Sequence, residues 1–324
     1  MDFSLTEIED MLLESASTFA GRCLAPAERT HEKAGAPADS VLKAWQECGL
    51  SMLAGSGEEL EVSGPGRVAV LRTLGACDGA TTLALWLPAM AQAAAEKLGA
   101  DAGGSVITSM VLEGDIESME WPRPCVPLCG GDHILVLDRA GNWGVAKVSH
   151  EPVLAIGLRS SQPARAALEQ WIVRGTAEPV VADVVRAETR LSAAALMVGI
   201  ARASCDYVAG YLPERVAFGK ALSQHQGLAF LFAEMAMAVT SVELLVSKAA
   251  WDLDQGRPQA AVGAWLEARE AALMVTDRGV QLLGGHGYMD DHPVEKWMRD
   301  ARGLALLFGG EDGARFEAAA GVTI

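Results

Sequence analysis

Apolar positions recur at helical spacing through most of the second half of the chain. Residues 188–211 are alanine-rich and apolar nearly throughout, which predicts a buried helix. In residues 223–255, Leu228, Leu231, Phe232, Met235, Val239, Val242, Leu245 and Val246 form a wide apolar stripe, and Gly256 and Pro258 end it. Residues 261–283 make a third helix and residues 299–307 begin a fourth.

The first hundred residues carry the same period. Ser4 or Thr6 caps a first helix bearing Ile8, Met11, Leu12 and Phe19. A second spans residues 40–49 and stops at Gly49; others cover 67–77 and 82–98, beyond a glycine-rich acidic loop at 55–66. Between the helical parts the texture changes. HILVLD, WGVAKVS, PVLAIGL and PVVADVV are short branched-apolar runs separated by Gly, Pro, Asn and Asp, which predict strands and turns. WPRPC, with two prolines, cannot continue a helix. The expected architecture is therefore mainly α with a small β domain: a helical unit at 1–102, a β unit at 103–185 and a helical unit at 186–324.

Half of the 324 residues are hydrophobic and aromatics are few, in keeping with helices packed on helices. A net charge of −16 excludes the basic face that a nucleic-acid partner needs. Six cysteines are scattered; Cys125 and Cys129 are the one close pair, without the second Cys or His pair of a zinc site. The acidic, amphipathic start MDFSLTEIEDML differs from the basic start of a secretory signal, and no run suggests a span of about 20 apolar residues. These features predict a soluble, cytoplasmic protein with free thiols and no membrane partner.

The candidate chemistry lies in residues 215–226, RVAFGKALSQHQ, and 278–300, RGVQLLGGHGYMDDHPVEKWMRD. Gly284, Gly285 and Gly287 lack a Cβ, so an anionic group can approach the backbone closely. Arg215 offers a planar fork suited to phosphate oxygens, and the aromatic Phe218 follows three residues on. His286, His225 and His292 read as structural, and Glu295 and Arg299 sit at i, i+4 for a helix-face ion pair.

Together these residues resemble the C-terminal helical domain of the acyl-CoA dehydrogenases, flavin enzymes that introduce a double bond between the α and β carbons of an acyl-CoA. The resemblance runs from Arg186 to about Phe316 and includes HQGLAFLFAEMAMAV and SKAAWDLDQGRP. More weakly, residues 3–9, AWQECGL and LRTLGACDGATT resemble parts of the family's N-terminal domain in the right order. The resemblance implies that Arg215, Phe218, Gln226, Gln281, Leu282, Leu283, Gly284 and Gly285 contact the diphosphate and adenosine of an FAD held mainly by a neighbouring subunit.

The family's flavin-ring segments, C-T/S-E-P and W-I-T/S, have no counterpart here; Trp143 and Trp171 are the nearest candidates, and neither sits in a matching context. The family's reaction also needs a carboxylate base. Counting on from Arg299, Asp300 and Ala301, the usual glutamate position is Phe308, with Glu311 three residues late. The alternative position, directly before Arg190, is Thr189, with Glu188 one residue early and rotated by about 100° on a helix. Arg190 either lines a remnant pocket or pairs with a carboxylate. The sequence therefore predicts no catalytic residue in this chain, which is expected to be the partner of a full-length paralogue in a heterodimer or α2β2 heterotetramer acting on an acyl-CoA. A wide cavity at their interface would suit a bulky polycyclic or branched acyl group. The alternatives are a scaffold of the same fold, or a homo-oligomer with Glu311 or Glu188 as a displaced base.

Overall fold

The structure, a computed structural model, describes residues 4–25, 28–55, 62–112 and 125–320. Phe3, residues 56–61 of the acidic loop and residues 121–124 of WPRPC lie outside the described residues. Thr6 is the first N-cap. Its hydroxyl accepts from the Glu9 N–H at 3.3 Å, while Glu9 Oε2 accepts from the Thr6 N–H at 2.8 Å. This reciprocal pair satisfies two donors of α1 (Glu7–Phe19) that the helix leaves open. After α2 (Glu28–Ala34), α3 (Asp39–Cys48) ends on Gly49 at φ 70°, a left-handed geometry that favours glycine.

The two helices expected at 67–77 and 82–98 are joined in α4 (Gly64–Lys97), which breaks at one residue, Asp78 (φ −158°, ψ 96°). Among the described residues five strands follow: β1 (Ser109–Val111), β2 (Cys125–Pro127), β3 (His133–Leu137), β4 (Asn142–Pro152) and β5 (Pro163–Thr176). They form one sheet in the order β1-β3-β4-β5-β2, antiparallel except for β1 beside β3. Two of the expected strands are corrected. PVVADVV is the first two turns of α5 (Pro179–Glu214), with Pro179 at the start and Ala182 and Val185 buried. A proline at the first helical position has no intrahelical N–H to lose, and the 3-residue spacing outweighs the valines' strand preference. In PVLAIGL only Pro152 belongs to a strand; the rest is a connection, with Leu154 94% exposed.

The C-terminal part comprises α5, α6 (Gln226–Asp254), α7 (Ala260–Leu283), α8 (Val294–Leu304) and α9 (Gly310–Ala320). The fourth helix thus begins five residues earlier than expected. Helices α4 and α5 approach closely through small residues. A Cβ on Gly199 would stand 2.3 Å from Arg72 O, and one on Gly79 would stand 2.5 Å from Ile200 Cδ1. The main core lies along this contact.

The absence of a sufficiently apolar span is also corrected: α4, α5 and α6 are each long and apolar enough to cross a membrane by length and composition. The apolar windows of α4 and α5 are 78% and 72% buried inside the protein, so their composition serves the core. That of α6 is only 22% buried. Met235, Val239, Val242 and Val246 face inward, while Phe230, Met237 and Leu244 stay exposed.

A buried charge cluster ties the parts together. Lys296 Nζ on α8 lies 2.8 Å from Asp78 Oδ1 at the α4 break and 2.8 Å from Asp300 Oδ2 one turn on. Asp300 Oδ1 also accepts from the Leu158 N–H at 2.7 Å, which pins the connection after β4. Around it, Arg299 pairs with Glu295 at 2.7 Å, as its spacing predicts, and with Glu32 at 2.6 Å. Burial alone would raise the Asp78 carboxyl. The Lys296 ammonium and hydrogen bonds from His31, Lys296 and Thr81 outweigh it and hold the group down at about 2.

Candidate functional site

Helix α5 ends at Glu214, and Arg215 leaves in an extended conformation (φ −81°, ψ 118°). A two-residue hairpin follows, β6 (Val216–Ala217) and β7 (Lys220–Ala221). Its turn residues, Phe218 and Gly219, both have positive φ (53° and 82°), the geometry of the tightest hairpin turns. Phe218 is therefore held at the tip in a conformation unusual for a bulky residue, 96% exposed. Its ring meets His225 edge-on at 6.3 Å, and His225 Nε2 donates to Ala217 O at 3.1 Å. Arg215 O accepts from the Leu222 N–H at 2.8 Å, which folds the hairpin back towards the first residue of α6, Gln226.

Across from this hairpin, α7 terminates at Gly284 with φ 60° and ψ −132°, a conformation that needs glycine. A Cβ on Gly287 would fall 2.4 Å from Val280 O, so the loop folds tightly against the helix end. On Gly284 or Gly285 a Cβ would meet nothing within 4 Å. The outer edge of the loop is bare backbone. Between loop and hairpin lies an open groove of 400 Å³, lined by Tyr211, Arg215, Leu222, Gln281, Gly285 and His286 among others.

Six of the eight sequence-predicted residues line this groove: Arg215, Gln281, Leu282, Leu283, Gly284 and Gly285. The side chains of Leu282 and Leu283 are each 4% exposed and packed in the core, which leaves their backbone for the groove. Phe218 and Gln226 do not line it; both stand exposed beside it, at the hairpin tip and the first turn of α6. Tyr211 and His286 are lining residues that the motif did not single out. The spacing of Tyr207 and Tyr211, one turn apart on a helix that ends just before Arg215, was the available signal.

The base positions carry no carboxylate. Thr189 is buried, its hydroxyl donating to Val185 O at 2.7 Å. Phe308 is buried at φ 54°. The displaced carboxylates are engaged in ion pairs. Glu188 is held by Lys97, with Arg67 at 4.0 Å. Glu311 lies 2.7 Å from both Arg315 and Arg269, and the hydrogen bond from Arg315, with the charge of Arg269, keeps its carboxyl below the ordinary range. Arg190 has a carboxylate partner: its Nε and Nη2 donate to Glu317 Oε2 at 3.1 and 2.8 Å, and its guanidinium stacks over Trp265 at 5.3 Å. Beside Thr189, between α4 and α5, is a cavity of 40 Å³ with Leu71, Trp86 and Met90 on its wall and Glu188 and Arg67 at its polar side. That is room for about three waters.

Trp143 and Trp171 serve the sheet. Trp143 is buried against its cross-strand partner Gly175, where an added Cβ would lie 2.5 Å from the indole, and Trp171 covers Gly144 in the same way at 2.6 Å.

Residues 182–321 match the acyl-CoA dehydrogenase C-terminal domain family. The short-chain-specific acyl-CoA dehydrogenase of Clostridium acetobutylicum is 36% identical over 157 residues, 45% of this chain and 41% of that protein. The probable acyl-CoA dehydrogenase YngJ of Bacillus subtilis is 42% identical over 115 residues, 35% of this chain and 30% of that protein. These matches thus span less than half of each relative's length. In fold the likeness extends over the chain. The glutaryl-coenzyme A dehydrogenase–glutaryl-CoA complex superposes with a TM-score of 0.82 at 20% identity, covering 98% of this chain and 96% of that one. The ChsE4-ChsE5 complex from Mycobacterium tuberculosis gives 0.79 at 20% identity over 100% of both chains.

Proposed function

We propose that this chain, whose residues 182–321 match the acyl-CoA dehydrogenase C-terminal domain, is the partner subunit of a heteromeric, FAD-dependent enzyme of that family that dehydrogenates an acyl-CoA. The carrying observation is an asymmetry. The groove that offers Arg215 and the bare Gly284–Gly285 edge is intact, while both base positions hold residues that cannot take a proton from carbon, Thr189 and Phe308.

The groove fits the diphosphate and adenosine of an FAD on three counts. Arg215 is exposed and supplies a charged fork. Gly284 and Gly285 have open space where a side chain would stand, so phosphate oxygens can reach the backbone. Phe218 and Gln226 are exposed beside it, free to meet a ligand or a neighbouring subunit. When bound, the flavin supplies the hydride acceptor. The work of this chain is to bind and orient. Arg215 neutralises phosphate charge, the glycine edge sets the depth of the diphosphate, and Gln281 and Gln226 offer amide hydrogen bonds. The full-length paralogue supplies the carboxylate base and the flavin-ring contacts.

Assembly uses the open face of α6. Its exposed Phe230, Met237 and Leu244 lie on a helix whose apolar window is mostly unburied, a surface suited to a helical neighbour. A scaffold alone would leave the groove without a use. The test is Arg215→Ala in the co-expressed pair: assembly is expected to persist while FAD content falls. Unchanged FAD content would reject the reading.

A further inference from the structure

The groove has a floor that the family motif does not describe. His286, a lining residue, stacks on His292 with centroids 5.3 Å apart and planes 11° from parallel. Each ring is fixed by a tyrosine of α5: Tyr211 Oη is 2.8 Å from His286 Nδ1, and Tyr207 Oη is 2.7 Å from His292 Nδ1. Both rings use Nδ1 in this way, and Nε2 of each is left without a protein partner among the described residues. A phenol can donate to a neutral imidazole or accept from a protonated one. The geometry therefore accommodates either charge state of His286 without rearrangement.

We propose that His286, backed by His292, is a further ligand-binding residue of this groove and takes up one proton when a diphosphate-bearing ligand enters. This rests on the reading of the groove as a diphosphate site. The charges around the pair set the balance. Arg215 at the end of α5 lines the same groove, and Arg29 of α2 donates to His292 O at 2.8 Å; both oppose a positive ring. Arg29 is itself neutralised by Glu295 of α8 at 2.5 Å and Glu32 at 3.0 Å. Asp290 and Asp291 lie between the two histidines in the chain and are exposed, Tyr207 and Tyr211 serve either state, and His225 stands on the hairpin side. From α7 the groove receives the neutral Gln281. Two imidazolium rings at 5.3 Å would repel, so a proton drawn in by a ligand goes to one ring of the stack and not to both. The negative charges of a diphosphate tip that balance towards protonation, and by linkage its affinity must then fall as pH rises.

The probe is ADP, titrated into the full chain labelled at the histidine ring carbons and followed by NMR from pH 5.5 to 8.5. The expected result is a higher protonation midpoint for His286 with ADP than without. ADP affinity should fall by up to about tenfold per pH unit above the ligand-free midpoint. His286→Asn should remove that pH dependence. Tyr211→Phe, which keeps both rings, should weaken ADP binding a few-fold at pH 6. Equal ADP affinity at pH 6 and pH 8, an unmoved His286 midpoint, or an unchanged pH profile in His286→Asn would each overturn the proposal. FAD content of the co-expressed pair separates the two ideas. A pair that holds FAD while ADP leaves His286 unmoved sinks the histidine role alone. ADP linkage to His286 in a chain whose pair holds no FAD sinks the shared-flavin reading alone.

Discussion

Lys296 on α8 and Asp78 at the break in α4 meet at 2.8 Å with 1% and 0% of their side chains exposed. A helix break in the core exposes backbone and places a carboxylate where only a cation can neutralise it. The ammonium answers Asp78 and Asp300 together, and this makes α8, which follows the glycine loop, a fixed reference for the groove. Lys296→Met would leave two buried carboxylates without their cation. It should destabilise the chain by about 3–5 kcal/mol, read by urea unfolding at pH 7; a loss under about 1 kcal/mol would show that the cluster is replaceable.

The same cluster sets an acid limit. The Asp78 carboxyl is held at about 2 in the folded chain, below its ordinary 3.8. A lowered acid contributes stability that is complete above its unfolded value and lost as pH falls through the folded one. Glu32 and Glu295 are lowered as well: burial raises both, and hydrogen bonds from Arg299 and Arg29 outweigh it, so they add in the same sense. Asp300, raised chiefly by burial against the pull of Lys296, acts in the opposite direction and offsets part of the loss. Unfolding free energy should therefore drop between about pH 4.5 and 2. A flat profile through that range contradicts the assignment.

Two glycines of the loop should respond differently to alanine. Gly287→Ala brings a Cβ to 2.4 Å from Val280 O, an overlap expected to destabilise by about 1–3 kcal/mol. Gly285→Ala meets nothing within 4 Å. Its stability should stay within about 0.5 kcal/mol, while FAD affinity of the assembled pair falls by about tenfold because the methyl occupies the bare edge. Thermal melts and flavin titrations of the two variants separate these effects.

Neither displaced carboxylate should matter to turnover. Glu188 is neutralised by Lys97 and Glu311 by two arginines. Glu188→Gln and Glu311→Gln, each assayed in the pair for acyl-CoA dehydrogenation, should retain activity within about twofold, a change of less than half a kcal/mol in barrier. A loss of a hundredfold or more in either would restore a base to this chain.

Much of this was legible in the residues. Thr6 and Gly49 mark helix ends because capping and left-handed geometry are local requirements. The Glu295–Arg299 pair follows from spacing on one helix face. PVVADVV misled because valine-rich runs fit a pleated surface, whereas its burial at 182 and 185 is decided by packing into the main core. The partner of Arg190 is Glu317, 127 residues away, which no local pattern announces. The same holds for the His286–His292 stack: each histidine alone reads as loop structure, and two tyrosines from another helix give the pair its geometry. Helix α6 shows the converse, since an apolar stripe in sequence does not say which part of it stays open.

The most direct measurement is to purify the chain alone and together with the proposed full-length partner, recording flavin absorbance and native mass for each. The account predicts little or no flavin on the chain alone and about one FAD per pair of unlike subunits, because each half supplies contacts that the other lacks. Stoichiometric FAD on a homo-oligomer of this chain would contradict it.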